Sequence, residues 1–353
     1  MMTFLTIIFA ILMFSVIIFV HELGHFISAR IFGVTVHEFA IGMGPAIWKK
    51  QGKKGTLYAI RCIPVGGFCK MEGEDSESED EGSFSNKSKF ARIVILASGA
   101  FMNVVLGFII SLVVVLMTMD GGIATNTVDK VVAEAPVSAY IKPGDEITEI
   151  NGKSIHIYQD ITTALNFAGE GDTFDLTVKR GDKTFELNDI KFYEIEQDGK
   201  TYKRMGVSFK VDESPGFFEV IHEIFFQGVY MGKIVFMSLG MLISGEAGMK
   251  DLSGPVGVVS QMGEVATSSG GGLAGFINLL FLAGFISINI GIMNLLPFPA
   301  LDGGRIFFIL IELIIRRKIP ADKEGLVHFV GLILLFGLMI FATWNDILRL
   351  ISG

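Results

Sequence analysis

Long apolar runs alternate with polar stretches along the chain, and four of the runs are long enough to cross a bilayer as helices. A spanning helix needs about 20 mostly apolar residues. The four runs cover residues 3–32, 93–119, 276–315 and 326–350. The third is interrupted by Pro297 and Pro299. A fifth stretch, residues 225–243, is broken by glycines and polar residues, so it predicts a helix that lies against the membrane or the other helices.

Between the second and third runs the pattern changes to that of a compact water-soluble domain. Residues 174–180 alternate between apolar and polar positions, as a half-buried strand does, and a turn then leads into a second strand. Turn residues at 142–145 and 151–152 and a helical pattern at 157–167 complete an α+β unit. The pattern therefore predicts three parts, which are residues 1–124, 125–212 and 213–353.

Composition and charge agree with a polytopic α-helical membrane protein and set its predicted orientation. Half of the residues are hydrophobic, and the net charge of −8 argues against nucleic acid as a partner. Ten lysines and arginines lie between Arg30 and Arg92, and a second cluster occupies residues 316–318. Because cytoplasmic loops are enriched in basic residues, both segments are predicted to be cytoplasmic, which places residues 125–212 outside the plasma membrane. Counting residues 225–243 as a further span would put the second cluster outside.

The first apolar run carries a motif that packing alone does not explain. After an uncharged stretch from Phe4 to Val20 comes the sequence His21-Glu22-Leu23-Gly24-His25. An ionisable group at membrane depth costs roughly 2.5–3.5 kcal/mol on insertion scales. On a helix, His21 and His25 share one face and can bind one metal ion, while Glu22 can act on a metal-bound water. The alternative is a pair of buried histidines bonded to other helices.

A catalytic zinc site usually has three protein ligands, and Asp302 is the best candidate for the third. It follows a double-proline break in the third run, whereas the other histidines lack a partner at a suitable spacing. At 1.5 Å per residue, His21 to His25 lie about 27–33 Å along the first helix and Asp302 at most about 39 Å along the third. If both helices run inward, these residues meet in the cytoplasmic half of the membrane. The alternative for Asp302 is a helix-terminal turn at the interface.

Taken together, these motifs resemble the site-2 proteases, which are intramembrane zinc metalloproteases, and among them the bacterial RseP/RasP-type enzymes. The matching segments, in chain order, are residues 21–25, 63–68, 99–103 and 294–304. Residues 142–145 and 150–152 resemble those of a PDZ domain. Two departures are Ala100, where proline is usual, and Ala139-Tyr140, where Ala-Gly is common.

The resemblance implies a catalytic centre in which His21, His25 and Asp302 bind Zn²⁺ and Glu22 is the general acid/base. It also implies that Asn294 and Asn103 hold an extended segment of substrate near the zinc.

The resemblance further implies a membrane-associated β-hairpin around Gly66 and Gly67. Independently of it, two glycines between apolar neighbours suit a tight turn with an open strand edge, to which an unwound substrate can add as a strand. The alternative is a plain cytoplasmic hairpin.

By the same resemblance, the expected substrates are single-span membrane proteins already trimmed outside the membrane, such as anti-sigma factors or remnant signal peptides. The PDZ-like domain then acts as a size filter or reads a new C-terminus. A non-catalytic PDZ-containing membrane scaffold is the main alternative, but a scaffold has no use for Glu22. A zinc transporter fits less well, because a single three-ligand site does not make a pathway.

Overall fold

The computed structural model describes residues 2–74, 78–168, 173–197, 200–246, 248, 252–268 and 271–352. The chain divides into two compact units, which are Met1–Ile110 together with Met231–Gly353, and Ser111–Tyr230. We call them the membrane unit and the inserted unit, and the predicted domain at residues 125–212 lies within the inserted unit.

The helices and strands alternate in blocks along the chain. The α-helices are α1 Met2–Ile31, α2 Lys89–Thr118, α3 Tyr158–Ala168, α4 Phe217–Ser244, α5 Pro255–Ser268, α6 Gly272–Asn294, α7 Asp302–Ile315 and α8 Ala321–Ser352. The strands are β1 Val36–Gln51, β2 Leu57–Met71, β3 Ile123–Val131, β4 Glu146–Ile150, β5 Lys153–Ser154, β6 Thr173–Arg180, β7 Lys183–Lys191, β8 Tyr193–Gln197, β9 Lys200–Arg204 and β10 Val207–Asp212.

Five of the described helices, α1, α2, α4, α6 and α8, are long and apolar enough to cross a membrane, judged by length and composition alone. The sequence predicts four crossings, and the additional helix is α4, which extends further on both sides than the stretch 225–243. The prediction of a polytopic helical membrane protein is confirmed, and the helix count differs by this one element.

Close contacts in the membrane unit fix the relative directions of its helices. Along α2, Asn103, Gly107 and Ile110 contact Gly291, Ile288 and Gly284 of α6 in that order, so α2 and α6 are antiparallel. An even number of crossings must therefore lie between them. Since α5 has only 14 residues, too few to span the hydrocarbon core, α4 does not cross on its own. This parity supports the prediction that α4 lies against the other helices.

The third predicted span is two helices rather than one interrupted helix. The 23-residue α6 ends at Asn294, and α7 begins only at Asp302. Pro297 and Pro299 lack the N–H groups that a continuous helix needs, and Ala300 has a φ of 76°, so the helix cannot run through this segment. The path to Asp302 is therefore shorter than the limit calculated for an unbroken helix. Phe9 of α1 contacts Phe276 of α6 near the start of each helix, which agrees with two helices that run in the same direction.

Strands β1 and β2 form the predicted hairpin, with pairing more complex than in a simple two-stranded ribbon. Residues 36–41 of β1 pair with residues 67–71 of β2, and residues 38–41 also have partners at residues 57–60. Residues 67–71 therefore form an edge of this sheet, with no partner on their other side among the described strands. The far end of the hairpin exposes apolar side chains, which suits contact with lipid. These are Met43, Ile47, Trp48 and Ile63.

The inserted unit is built on a sheet with the strand order β10-β3-β4-β6-β7, in which β5 pairs with β4. Its core contains fully buried side chains from the central strands and from α3, among them Val128, Ile147, Ile161 and Phe174. The turn between β4 and β5 has positive φ at both Asn151 and Gly152, as a tight hairpin turn requires. The prediction of an inserted α+β fold is therefore confirmed.

An ion pair fastens the first predicted turn of the inserted unit to the sheet. The Oδ1 atom of Asp145 lies 2.6 Å from Nε of Arg180, and Oδ2 accepts a 2.8 Å hydrogen bond from the backbone N–H of Lys142. The hydrogen bond from the guanidinium holds the pKa of the Asp145 carboxyl below its usual range. The turn at residues 142–145 therefore has a structural role.

Candidate metal centre

The centre begins at the crossing of α1 and α2, where two glycines allow the backbones to come very close. A Cβ atom on Gly24 would lie 2.3 Å from the carbonyl oxygen of Ser98. On the facing helix, a Cβ atom on Gly99 would lie 2.4 Å from Nε2 of His25 and 2.8 Å from Cε1 of His21. The absence of a side chain at Gly99 therefore leaves the space that the two imidazoles occupy.

The three predicted ligands come together at this point. The Nε2 atoms of His21 and His25 lie 3.2 Å apart, and Oδ2 of Asp302 lies 3.1 Å from the first and 3.4 Å from the second. Tetrahedral zinc with bonds of about 2.0–2.2 Å separates its ligand atoms by about 3.3–3.6 Å. The triangle of donor atoms is therefore within about 0.2 Å of the size that zinc needs. No other group of three metal-ligating side chains occurs among the described residues.

Asp302 reaches the histidines because the segment before it folds tightly back. It is the first residue of α7, where a negative charge is favoured by the helix dipole. The N–H of Ala300 donates a 2.9 Å hydrogen bond to Nδ1 of His328 on α8. A Cβ atom on Gly303 would lie 2.2 Å from the carbonyl oxygen of Leu296, so only glycine fits there. His328 is one of the histidines that the sequence excludes as the third ligand, and its contact with this turn could not be predicted from the sequence.

The edge strand of the hairpin lies against Glu22. The backbone N–H of Cys69 donates to the Glu22 carboxyl. A Cβ atom on Gly67 would lie 3.4 Å from Cγ of Glu22 and 3.0 Å from the carbonyl oxygen of Ala40. The hairpin is held to α1 next to this point, since Ser15 Oγ donates a 2.8 Å hydrogen bond to the carbonyl oxygen of Pro64. The small residue at position 67 thus lets the strand approach the predicted general base.

A cavity of about 370 Å³ opens beside these groups. Its walls include the three ligand candidates, Glu22 and residues 68–71 of the edge strand. Glu74 also lines the cavity and forms a 2.8 Å ion pair with Arg305, one turn of α7 beyond Asp302. The cavity is large enough to hold several water molecules next to the donor atoms.

The remaining residues predicted to bind substrate are Gly66, Asn294 and Asn103. Gly66 has a positive φ of 86° and marks the bend in β2, but the strand continues through it instead of ending in a tight turn. Asn294 is the half-buried last residue of α6. Asn103 is fully buried on α2, and its side-chain Nδ2 lies 3.4 Å from Nδ1 of His21. The roles of all three in substrate binding stay predictions.

The fold and the cluster define a membrane-embedded metallopeptidase, and comparison with known proteins identifies its family. The profile of Peptidase family M50 matches residues 9–338, so the chain belongs to that family. It is a zinc-dependent protease of the site-2 type and a multi-pass membrane protein.

Relatives match over almost the whole chain. A Clostridium acetobutylicum protein provisionally named a zinc metalloprotease is 40% identical over 98% of both chains. The regulator of sigma-W protease RasP of Bacillus subtilis is 31% identical over 98% of this chain and 99% of its own length. The zinc metalloprotease RasP of Bacillus licheniformis is 30% identical over the same shares.

Among solved structures, the PDZ domain of the SdrC-like protein from Listeria monocytogenes is similar to a quarter of this chain. The identity is 27%, the match covers 25% of this chain and 86% of that domain, and the TM-score is 0.21. The predictions of family, enzyme class and zinc dependence are confirmed by the family match, while the roles of individual site residues are not tested by it.

Proposed function

We propose that the protein cleaves single-span membrane proteins within or near the plasma membrane, with His21, His25 and Asp302 as the zinc ligands. The observation that carries the proposal is the triangle of their donor atoms, with sides of 3.1–3.4 Å, at the end of a cavity. The buried Oδ2 of Asp302 has no hydrogen-bond partner among the described residues, which leaves this acceptor to a metal ion. Two imidazoles and one carboxylate are a donor set typical of catalytic zinc.

Glu22 acts as the general acid/base in this proposal. When bound, zinc polarises the scissile carbonyl and makes water reactive near neutral pH. Glu22 lines the same cavity as the ligands without belonging to the donor triangle. It takes a proton from the attacking water and passes it to the departing amine. The N–H of Cys69 orients the Glu22 carboxyl for this transfer.

The substrate binds as an extended strand along residues 68–71. A helical substrate must unwind before its peptide bond is accessible, and its freed backbone groups then need new partners within the membrane. The edge strand supplies them, because its second side is unpaired among the described strands and lines the cavity. Asn294, the last residue of α6, and Gly66, which precedes the edge strand, are proposed to contact the same substrate segment.

The substrate class follows from the relatives and from the inserted unit. One relative is named a regulator of sigma-W protease, which supports anti-sigma factors trimmed outside the membrane as substrates, alongside remnant signal peptides. A groove of about 590 Å³ in the inserted unit lies between α3 and the edge strand β10, and it can accept a peptide terminus by strand addition. We place this unit on the extracytoplasmic side of a bacterial plasma or inner membrane.

The direct test is to compare Glu22→Gln and Asp302→Asn with the wild-type enzyme in proteoliposomes. Glu22→Gln should abolish cleavage of a model single-span substrate while bound zinc stays near one per chain. Asp302→Asn should lose both activity and zinc. The exposed Glu81, changed to Gln, is the matched control and should alter neither. Cleavage by Glu22→Gln would refute the mechanism, absence of cleavage by the wild type would favour the scaffold alternative, and full zinc occupancy in Asp302→Asn would exclude that ligand.

A further inference from the structure

The Nδ1 atoms of the two histidines in the cluster have different kinds of hydrogen-bond partner. Nδ1 of His25 lies 2.9 Å from the backbone carbonyl oxygen of Ile95, so this nitrogen carries a proton and donates it. Nε2 of His25 is then unprotonated and faces the other donor atoms. Nδ1 of His21 instead faces a side chain, the amide of Asn103, at 3.4 Å. The backbone thus fixes the tautomer of His25, and among the described residues only Asn103 is placed to do so for His21.

The hydrogen-bonding capacity of Asn103 indicates which end of its amide meets the ring. The residue has no exposed surface, and its Oδ1 has no hydrogen-bond partner among the described residues. A buried acceptor without a donor costs about 1–3 kcal/mol. Rotating the terminal amide by 180° exchanges Oδ1 and Nδ2 without moving anything else. Oδ1 then accepts a hydrogen bond from Nδ1–H of His21, and in this tautomer Nε2 of His21 is free to bind a metal.

The position of Asn103 is fixed by its neighbours on α6. Its backbone carbonyl oxygen accepts a 2.8 Å hydrogen bond from Oγ of Ser287. A Cβ atom on Gly291 would lie 3.3 Å from Cβ of Asn103, so α6 packs directly behind this residue. Asn103 is therefore held between two helices with its amide directed at His21.

We propose that Asn103 is a positioning residue for the metal, whose side-chain oxygen holds His21 with its proton on Nδ1 and its Nε2 lone pair toward the zinc. Metal-ligating histidines generally donate their second N–H to such a partner, and losing that partner costs about 10–100-fold in metal affinity. The inference rests on the proposed zinc site. It replaces the role in substrate binding that the sequence motif suggests for Asn103, because a fully buried amide behind a ligand offers no surface to a peptide.

The test measures the zinc affinity of the full-length protein in detergent by competition with a chelator of known affinity. Asn103→Leu has nearly the same volume but cannot accept a hydrogen bond, and it should bind zinc about 10–100-fold more weakly. Asn103→Asp keeps an acceptor in the same place and should stay within a few-fold of the wild type. Thr118→Val is the matched control, since it removes a side-chain hydrogen bond from the same helix, α2, without touching Asn103 or its neighbours.

Two further measurements separate the possible outcomes. The visible spectrum of the Co²⁺-substituted protein should shift in Asn103→Leu and remain that of the wild type in Thr118→Val, because only the former changes the orientation of a ligand. His21→Ala should abolish binding, and retained zinc there would refute the proposed site itself.

Three results would overturn the positioning role. The first is wild-type zinc affinity in Asn103→Leu, and the second is equally weak zinc binding in Asn103→Leu and Asn103→Asp. The third is a raised KM for the membrane substrate in Asn103→Leu with unchanged zinc affinity. The last of these would restore the role in substrate binding.

Discussion

Replacing Gly99 by alanine should inactivate the enzyme by displacing the imidazoles, although the change adds a single methyl group. The new Cβ would lie 2.4 Å from Nε2 of His25, whereas ordinary van der Waals contact begins at 3.4 Å. The ring, or one of the two helices, must therefore move by about 1 Å. A displacement of that size at a reacting group can cost about 10²-fold in rate.

The magnitudes show that this loss should appear in metal binding and chemistry more than in folding. Overpacking a tight contact costs about 1–3 kcal/mol, while alanine gains about 1 kcal/mol over glycine in a helix. The net change in the free energy of unfolding is then at most about 2 kcal/mol. We therefore expect folded protein with little zinc and cleavage reduced at least 100-fold.

The assay pairs zinc content by mass spectrometry with cleavage of a single-span substrate in proteoliposomes. Gly337→Ala in α8 is the matched control, because a Cβ there meets nothing within 4 Å, and it should retain full activity. Wild-type zinc content with cleavage within three-fold of normal in Gly99→Ala would refute the packing argument.

Three further predictions concern topology and the inserted unit. In a cysteine-free background, a membrane-impermeant maleimide should label Lys153→Cys but not Lys53→Cys in intact cells; labelling of the latter would overturn the topology. Because Arg180 lowers the pKa of Asp145, the ion pair stabilises the fold above the usual carboxyl pKa of about 3.9, and this contribution is lost as the pH falls through the lowered value. The difference in melting temperature between wild type and Asp145→Asn should accordingly shrink as the pH falls from about 6 to about 3, and a constant difference would contradict the assignment. Deleting residues 125–212 should spare cleavage of trimmed substrates and admit some untrimmed ones, and an unchanged ratio of the two rates would exclude a size filter.

Much of the site could be predicted because it depends on the spacing of residues within one helix and on how deep each residue lies in the membrane. The i, i+4 spacing of His21 and His25 places both on one helix face whatever surrounds them. The depth of Asp302 could be compared with theirs because the directions of the helices follow from the distribution of basic residues. Each of these inferences uses only the rise of a helix, the thickness of the membrane and the cost of burying charge.

Features that depend on a contact between distant segments could not be read from the sequence. The role of Gly99 depends on which residues of α1 face it, and its own neighbours do not reveal this. His328 contacts Ala300 only because α8 packs beside the double-proline turn. The interruption at Pro297 and Pro299 was predicted, but the end of α6 at Asn294 was not, because apolar composition continues through the break.

Gly67 lies where the edge strand that is proposed to bind the substrate comes close to Glu22. In the proposed binding mode, a substrate strand on the free side of residues 68–71 lies along the wall of the cavity that also holds Glu22. The same edge strand donates the Cys69 N–H to Glu22, so in this proposal it supports the base and the substrate together. A Cβ at position 67 would lie 3.0 Å from the carbonyl oxygen of Ala40, closer than ordinary contact, and 3.4 Å from Cγ of Glu22, where it just fits. Glycine therefore favours the pairing of β1 with β2 at this position, and a side chain longer than that of alanine would also separate the edge strand from the base.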